Sequence, residues 1–130
     1  MKLGIDLHGV IDSSPGLFKA VLFGLSMSGK VKIYIVSGPP KTEIINELEN
    51  LGIEEDLHYD EVHSVVDFLK ESGVEMWQDK NGRWWTNEED WCASKSRICD
   101  KLHLDAMIDD KEMYKADFEN IPTKFVLYEE

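Results

Sequence analysis

Three short apolar runs in this chain each end on a polar residue, and that repetition constrains the fold more than any single motif. Lys2-Leu3-Gly4-Ile5 delivers Asp6 into the turn Leu7-His8-Gly9-Val10. Val31-Lys32-Ile33-Tyr34-Ile35-Val36 ends in Ser37-Gly38, and Ala106-Met107-Ile108 ends in Asp109-Asp110. Such runs, bounded by turn residues, read as strands, and the unbroken Ile33 to Val36 segment reads as one covered on both faces, as parallel strands are. In an open parallel sheet, ligands sit outside the carboxyl ends of the strands. Three polar residues far apart in sequence are therefore expected to converge on one crevice.

The segments between these runs carry helical spacing. Pro15 and Gly16 precede Leu17, Phe18, Val21, Leu22 and Leu25, a pattern that buries one face of a helix ending near Gly29. Pro39-Pro40 opens a second helix, with Ile44, Ile45, Leu48 and Leu51 on one side and Gly52 as its stop. Asp60 is expected to cap a third, whose buried stripe is Val62, Val65, Val66 and Leu69 and whose end is Gly73. A hairpin follows within 74–86, where Asn81-Gly82 supplies the residues of a tight two-residue turn between aromatic-rich arms. A helix from about Asn87 to Leu102 leads into the run before Asp109, and Lys124 to Tyr128 reads as a last strand. The expected fold class is α/β, one domain over 1–130 with a hairpin insertion.

Composition removes several classes of partner. A formal charge of −12, from 26 acidic and 14 basic residues, opposes general nucleic-acid or anionic-membrane binding and favours collecting cations near clustered carboxylates. No apolar run approaches the roughly 20 residues that span a bilayer, and the first residues include an acid and a histidine where a signal peptide has an apolar core. A cytoplasmic protein is expected. Cys92 and Cys99 lie two helical turns apart with no metal-type spacing, so both are read as free core thiols.

Lys95 is the oddity of the last long helix. Trp91, Cys92, Ile98, Cys99 and Leu102 form one apolar stripe, and Lys95 falls inside it. Its stem can lie along apolar surface while the ammonium reaches water. Alternatively, the ammonium points inward and holds a carboxylate or phosphate.

Together these positions resemble the haloacid dehalogenase superfamily of phosphohydrolases. Asp6-Leu7-His8-Gly9-Val10 looks like its first motif, Ser37 with Gly38 its second, Lys95 its third and Asp109-Asp110 its fourth, all in the family's order. No one of these motifs is specific; the ordered set is. The resemblance implies a three-layer Rossmannoid sheet with helices on both faces, a Mg²⁺ ion and reaction through an aspartyl-phosphate. Asp6 would be the nucleophile, because an ionised carboxylate can form an acyl-phosphate that divides one hard displacement into two easier ones. Mg²⁺ would be held by Asp6, Asp109, Asp110 and the backbone carbonyl of His8. Ser37 and the N–H of Gly38 would donate to the phosphoryl oxygens, and Lys95 would neutralise charge on them and on Asp6.

His8 departs from the family, whose phosphatases usually carry an aspartate there as general acid and base. A histidine can do both jobs near neutral pH; the competing reading is a phosphate- and metal-binding protein with impaired catalysis. Taken singly, aspartates after strands often fill turns, and Ser37-Gly38-Pro39-Pro40 also reads as a helix entry with Ser37 as cap. Lys41 and Lys111 are rival phosphate-binding cations beside the motifs. Little room exists for a cap domain, since only the 53–86 region can shade the site. An open site suits a large phosphorylated substrate of unassigned identity, or a lid from a second subunit of a homo-oligomer. Trp77, Trp84, Trp85 and Trp91 can stack a ring, although cross-strand packing is their commoner use. A phosphoacceptor signalling domain uses similar residues in a different order.

Overall fold

The chain runs β1 (Lys2–Ile5), α1 (Pro15–Met27), β2 (Lys32–Ser37), α2 (Lys41–Asn50), β3 (Glu61–Ser64), α3 (Val65–Glu71), β4 (Trp77–Gln78), β5 (Trp84–Trp85), α4 (Glu88–Leu102), β6 (Ala106–Asp109) and β7 (Lys124–Leu127). Short 3₁₀ turns cover Ile11–Ser13 and Glu112–Phe118. This is a computed structural model, and it describes residues 1–130.

Five strands form one parallel sheet in the order β3-β2-β1-β6-β7. From β1 the chain steps outward through β2 and β3, then re-enters on the other side of β1 through β6 and β7. The reversal falls between β1 and β6, which makes that boundary the topological switch point where open α/β sheets form their ligand crevice. The β4 and β5 pair stands apart as an antiparallel hairpin.

Alternation along β2 explains the layers. Ile33 and Ile35 enter one core with Phe18 and Leu22 of α1 and Ile44 and Leu48 of α2. Tyr34 and Val36 enter the other with Leu69 of α3 and Ile98 and Cys99 of α4. Successive strand residues face opposite sides, so four consecutive apolar residues need helices on both faces. Each fully buried Ile or Leu contributes on the order of 2 kcal/mol of transfer free energy. Gly4 lets α4's exit and β6 approach β1, because a Cβ there would lie 2.8 Å from Met107 Sδ and 2.9 Å from Leu104 Cδ1.

Four expectations need correction. Asp60 does not cap a helix: Glu61–Ser64 is a strand, and the helix begins at Val65 with Ser64 Oγ accepting from Asp67 N–H. Pairing with β2 outweighs helix propensity in a segment that buries Val62 and Ser64 alternately, and the Asp60 carboxylate instead accepts from Ile33 N–H at 2.8 Å. In α1, Phe18 and Leu22 are buried but Leu17 and Val21 are exposed, because a helix on a sheet buries a narrower stripe than the spacing proposes. In the hairpin, Asp79 N–H donates to Arg83 O, so Lys80-Asn81-Gly82 form a three-residue loop with Gly82 at φ +79°, rather than a two-residue turn. Both cysteines are free, but only Cys99 lies in the core, where burial pushes its thiol up to about 12; Cys92 is half-buried at the edge of the helix stripe. No helix is long and apolar enough to cross a membrane.

Candidate active site

The sheet brings its three strand-end payloads side by side. Parallel pairing of β1 with β2 and with β6 aligns Ile5 with Ile35 and with Ile108, so Asp6, Ser37 and Asp109 emerge from neighbouring strands at one edge. Asp6 N–H still donates to Ile108 O at 3.0 Å, which locks its backbone to β6.

Lys95 reaches this edge from α4. That helix is held in place by its start: Asn87 Oδ1 accepts from Asp90 N–H at 2.8 Å, and Glu88, Glu89 and Asp90 complement the helix dipole. Seven residues on, Lys95 is buried with its ammonium 2.5 Å from Asp109 Oδ2 and 3.3 Å from Asp6 Oδ2. The inward placement is the one the apolar stripe left as an alternative. Tyr114, from the 3₁₀ segment, closes the other side with its ring centroid 4.6 Å from Lys95 Nζ. Burial opposes the Lys95 charge, yet Asp6 and Asp109 overcome it and raise its pKa. For Asp6 burial itself dominates: it lifts the carboxyl from 3.8 to about 6 against Lys95, with Asp109 adding to the rise.

Both oxygens of Asp109 have a partner, Oδ2 the Lys95 ammonium and Oδ1 the Lys111 N–H at 2.9 Å, and each keeps a lone pair for a further ligand. Asp6 Oδ1 accepts from Leu7 N–H at 2.9 Å. Two other buried side-chain oxygens make no well-formed hydrogen bond, Ser37 Oγ, which lies beside the Asp6 carboxylate, and Asp110 Oδ1. A buried polar atom without a partner costs roughly 1–3 kcal/mol, so each is suited to meet something the chain does not itself supply.

The carboxylates of Asp6, Asp109 and Asp110 offer ligand oxygens all within 4.8 Å of one another. Lys95 pairs with Asp6 and Asp109, and Lys111 lies 3.8 Å from Asp110, so the three carboxylates still outnumber the cations beside them and suit a metal ion bound through hard oxygen donors. Asp110 Oδ1 is the free donor such an ion needs. Gly9 makes the arrangement possible: it has φ +84°, and a Cβ there would fall 2.0 Å from Asp110 Oδ2.

His8 lines the same cavity, but its Nε2 is taken by Glu47 Oε2 of α2, and both side chains are partly exposed. Gly38 lies beside Trp91, and its carbonyl accepts from Val66 N–H at 3.1 Å. Of the rival cations, Lys111 reaches the cavity and lies 3.8 Å from Asp110, whereas Lys41 does not line it. Sequence reasoning missed Tyr114 and Glu47. Tyr114 sits in a segment with no periodic signal, and Glu47 is one acid among 26 acidic residues.

No family model matches this chain, and no curated protein matches it. Among solved structures it is similar to an uncharacterized protein from Corynebacterium glutamicum, at 21% identity and a TM-score of 0.57, over 99% of this chain and 85% of that one. That likeness concerns the fold: an α/β protein with a five-stranded parallel sheet flanked by helices, consistent with a Rossmann-like architecture.

Proposed function

We propose that this chain is a Mg²⁺-dependent phosphohydrolase of the haloacid dehalogenase type, with Asp6 as nucleophile. The observation that carries the reading is the pair of buried oxygens without a well-formed hydrogen bond on either side of Asp6, Ser37 Oγ toward β2 and Asp110 Oδ1 toward β6. One is a donor suited to a phosphoryl oxygen, the other a donor atom suited to a cation.

In this reading an Asp6 carboxylate oxygen attacks phosphorus, a P–O bond to the leaving group breaks, and an acyl-phosphate forms on Asp6. Lys95 opposes the upward pull of burial on the Asp6 carboxyl and would offset charge on the transferring group, while Ser37 and the Gly38 N–H would orient its oxygens. Asp6, Asp109, Asp110 and the His8 carbonyl would hold Mg²⁺, which supplies the positive charge that lets one anion approach another. His8 would give the leaving oxygen its proton and take one from the incoming water, with its ring oriented by the bond to Glu47. Water then cleaves the acyl-phosphate, releasing phosphate and restoring the carboxylate.

The same His8–Glu47 bond favours a second reading, a phosphate- and metal-binding protein in which His8 is a surface ion-pair partner and turnover is lost. Hydrolysis of an aryl phosphate with and without Mg²⁺, from about pH 5 to about pH 9, separates the two. Metal-dependent turnover that disappears in Asp6→Asn and weakens with an altered pH profile in His8→Ala is the expected result. Turnover unchanged in Asp6→Asn sinks the mechanism, and Mg²⁺ and phosphate binding without turnover establishes the second reading.

A further inference from the structure

The cavity at the strand ends extends well beyond the residues that meet a phosphoryl group. Its volume is about 750 Å³, and it continues from Asp6, Ser37 and Lys95 past Trp91 to the hairpin residues Arg83, Trp84 and Trp85. Space on this scale is that of a pocket for a drug-sized ligand, far more than a phosphoryl group needs.

The hairpin end of the cavity is aromatic and pre-set. Trp91 lies against the phosphate-motif glycine, since a Cβ on Gly38 would be 3.5 Å from its ring. Trp85 Nε1 donates to Asp79 Oδ2 at 2.9 Å, and the other oxygen of Asp79 accepts from the N–H groups of Asn81 and Arg83. One carboxylate therefore fixes both the loop and the indole ring. Trp85 nevertheless stays 43% exposed, with the Arg83 guanidinium 5.0 Å from its ring centroid. A tryptophan whose polar edge is hydrogen-bonded and whose surface is still 43% exposed, on the wall of a large cavity, offers apolar area for a ring to cover. Apart from Asp6, His8 and Lys95, the charged residues lining the cavity are two bases, Arg83 and Lys111, and two acids, Glu43 and Glu88. That balance suits a neutral group better than a second phosphate.

We propose that the group esterified to the substrate phosphate is a neutral planar ring, aryl or heterocyclic, seated against Trp91 and Trp85. The inference rests on the phosphohydrolase reading only for the placement of the phosphate end. The hairpin is then a leaving-group subsite.

The test compares two non-hydrolysable ligands of equal carbon count, benzylphosphonate and cyclohexylmethylphosphonate, titrated into the whole protein with Mg²⁺ by calorimetry. The planar ligand should bind about tenfold tighter, as aromatic stacking predicts. In Trp85→Ala that ratio should fall toward one. Affinities within about twofold of each other, a ratio unchanged in Trp85→Ala, or no binding of either ligand overturns the proposal. Hydrolysis of acetyl phosphate, which carries no ring, reads the phosphohydrolase separately. Asp6-dependent turnover without a planar preference overturns the subsite and leaves the enzyme; a planar preference without turnover of either acetyl phosphate or an aryl phosphate upholds the subsite and overturns the enzyme.

Discussion

The strand-end cluster and the hairpin face each other across one cavity, yet they are built on opposite principles. Asp6, Ser37, Lys95 and Asp109 are all buried and come from the turn after β1 and from β2, α4 and β6, so each is held by partners distant in sequence. The hairpin holds itself together through Asp79, whose bonds reach no further than Trp85, and it leaves Trp77 and Trp85 in solvent. It meets the rest of the protein partly through Lys70, whose ammonium lies 3.3 Å from the Trp84 ring centroid. A change in the cluster therefore propagates into the core, whereas a change in the hairpin stays local. Chemistry placed in the first region is fixed by the fold, and recognition placed in the second can vary without disturbing it.

The sharpest way to break this contrast is to remove the cation from the cluster. Lys95→Met leaves Asp6 and Asp109 buried without their ammonium and should cost about 3–5 kcal/mol in urea unfolding. A loss below about 1 kcal/mol would mean that the cluster is not the coupled unit described. The pH response of the metal-free protein sharpens the same point. Burial raises the Asp6 carboxyl from 3.8 to about 6 in the folded state, so the folded protein binds this proton more tightly than the unfolded chain. Its stabilising contribution is fully present below the unfolded value and is lost as pH rises through about 6. Melting curves in EDTA between about pH 4 and about pH 7 should show that decline, and Asp6→Asn should flatten it.

Gly9→Ala probes the joint between turn and cluster. At φ +84°, with Asp110 Oδ2 only 2.0 Å from the new Cβ, it should cost about 1–3 kcal/mol and displace Asp110. Calorimetric titration should then show weaker Mg²⁺ binding; an affinity equal to that of the unaltered protein would remove Asp110 from the metal set. The smallest effect is expected in the hairpin. Asp79→Ala removes exposed hydrogen bonds and should change global stability by no more than about 1 kcal/mol in the same urea assay, while loosening Trp85. A larger loss would show that the hairpin is integral to the core.

Much of the architecture was legible because its signals are local. The run Ile33 to Val36 announces a strand covered on both faces, and Asn87 with three acids after it announces the start of α4. Asp60–Ser64 misled because Val62, Val65, Val66 and Leu69 fit a helix until β2 offers its edge, and only the sheet makes that offer. Leu17 and Val21 misled because apolar spacing states which residues can face a core, and not how wide the core is.

What the sequence determined by itself is the set of apolar strands, the polar residue at the end of each, and the lysine inside an apolar helical stripe. These follow from periodicity and from turn chemistry, which act over a few residues. Only the tertiary structure decided that β1 lies between β2 and β6, that Lys95 spans Asp6 and Asp109, and that Tyr114 and Glu47 join the cavity's surroundings. Only it left Ser37 Oγ and Asp110 Oδ1 buried without a well-formed hydrogen bond. Proximity between residues so far apart in sequence is fixed by how the strands are ordered and the layers packed, and no short segment of chain encodes that order.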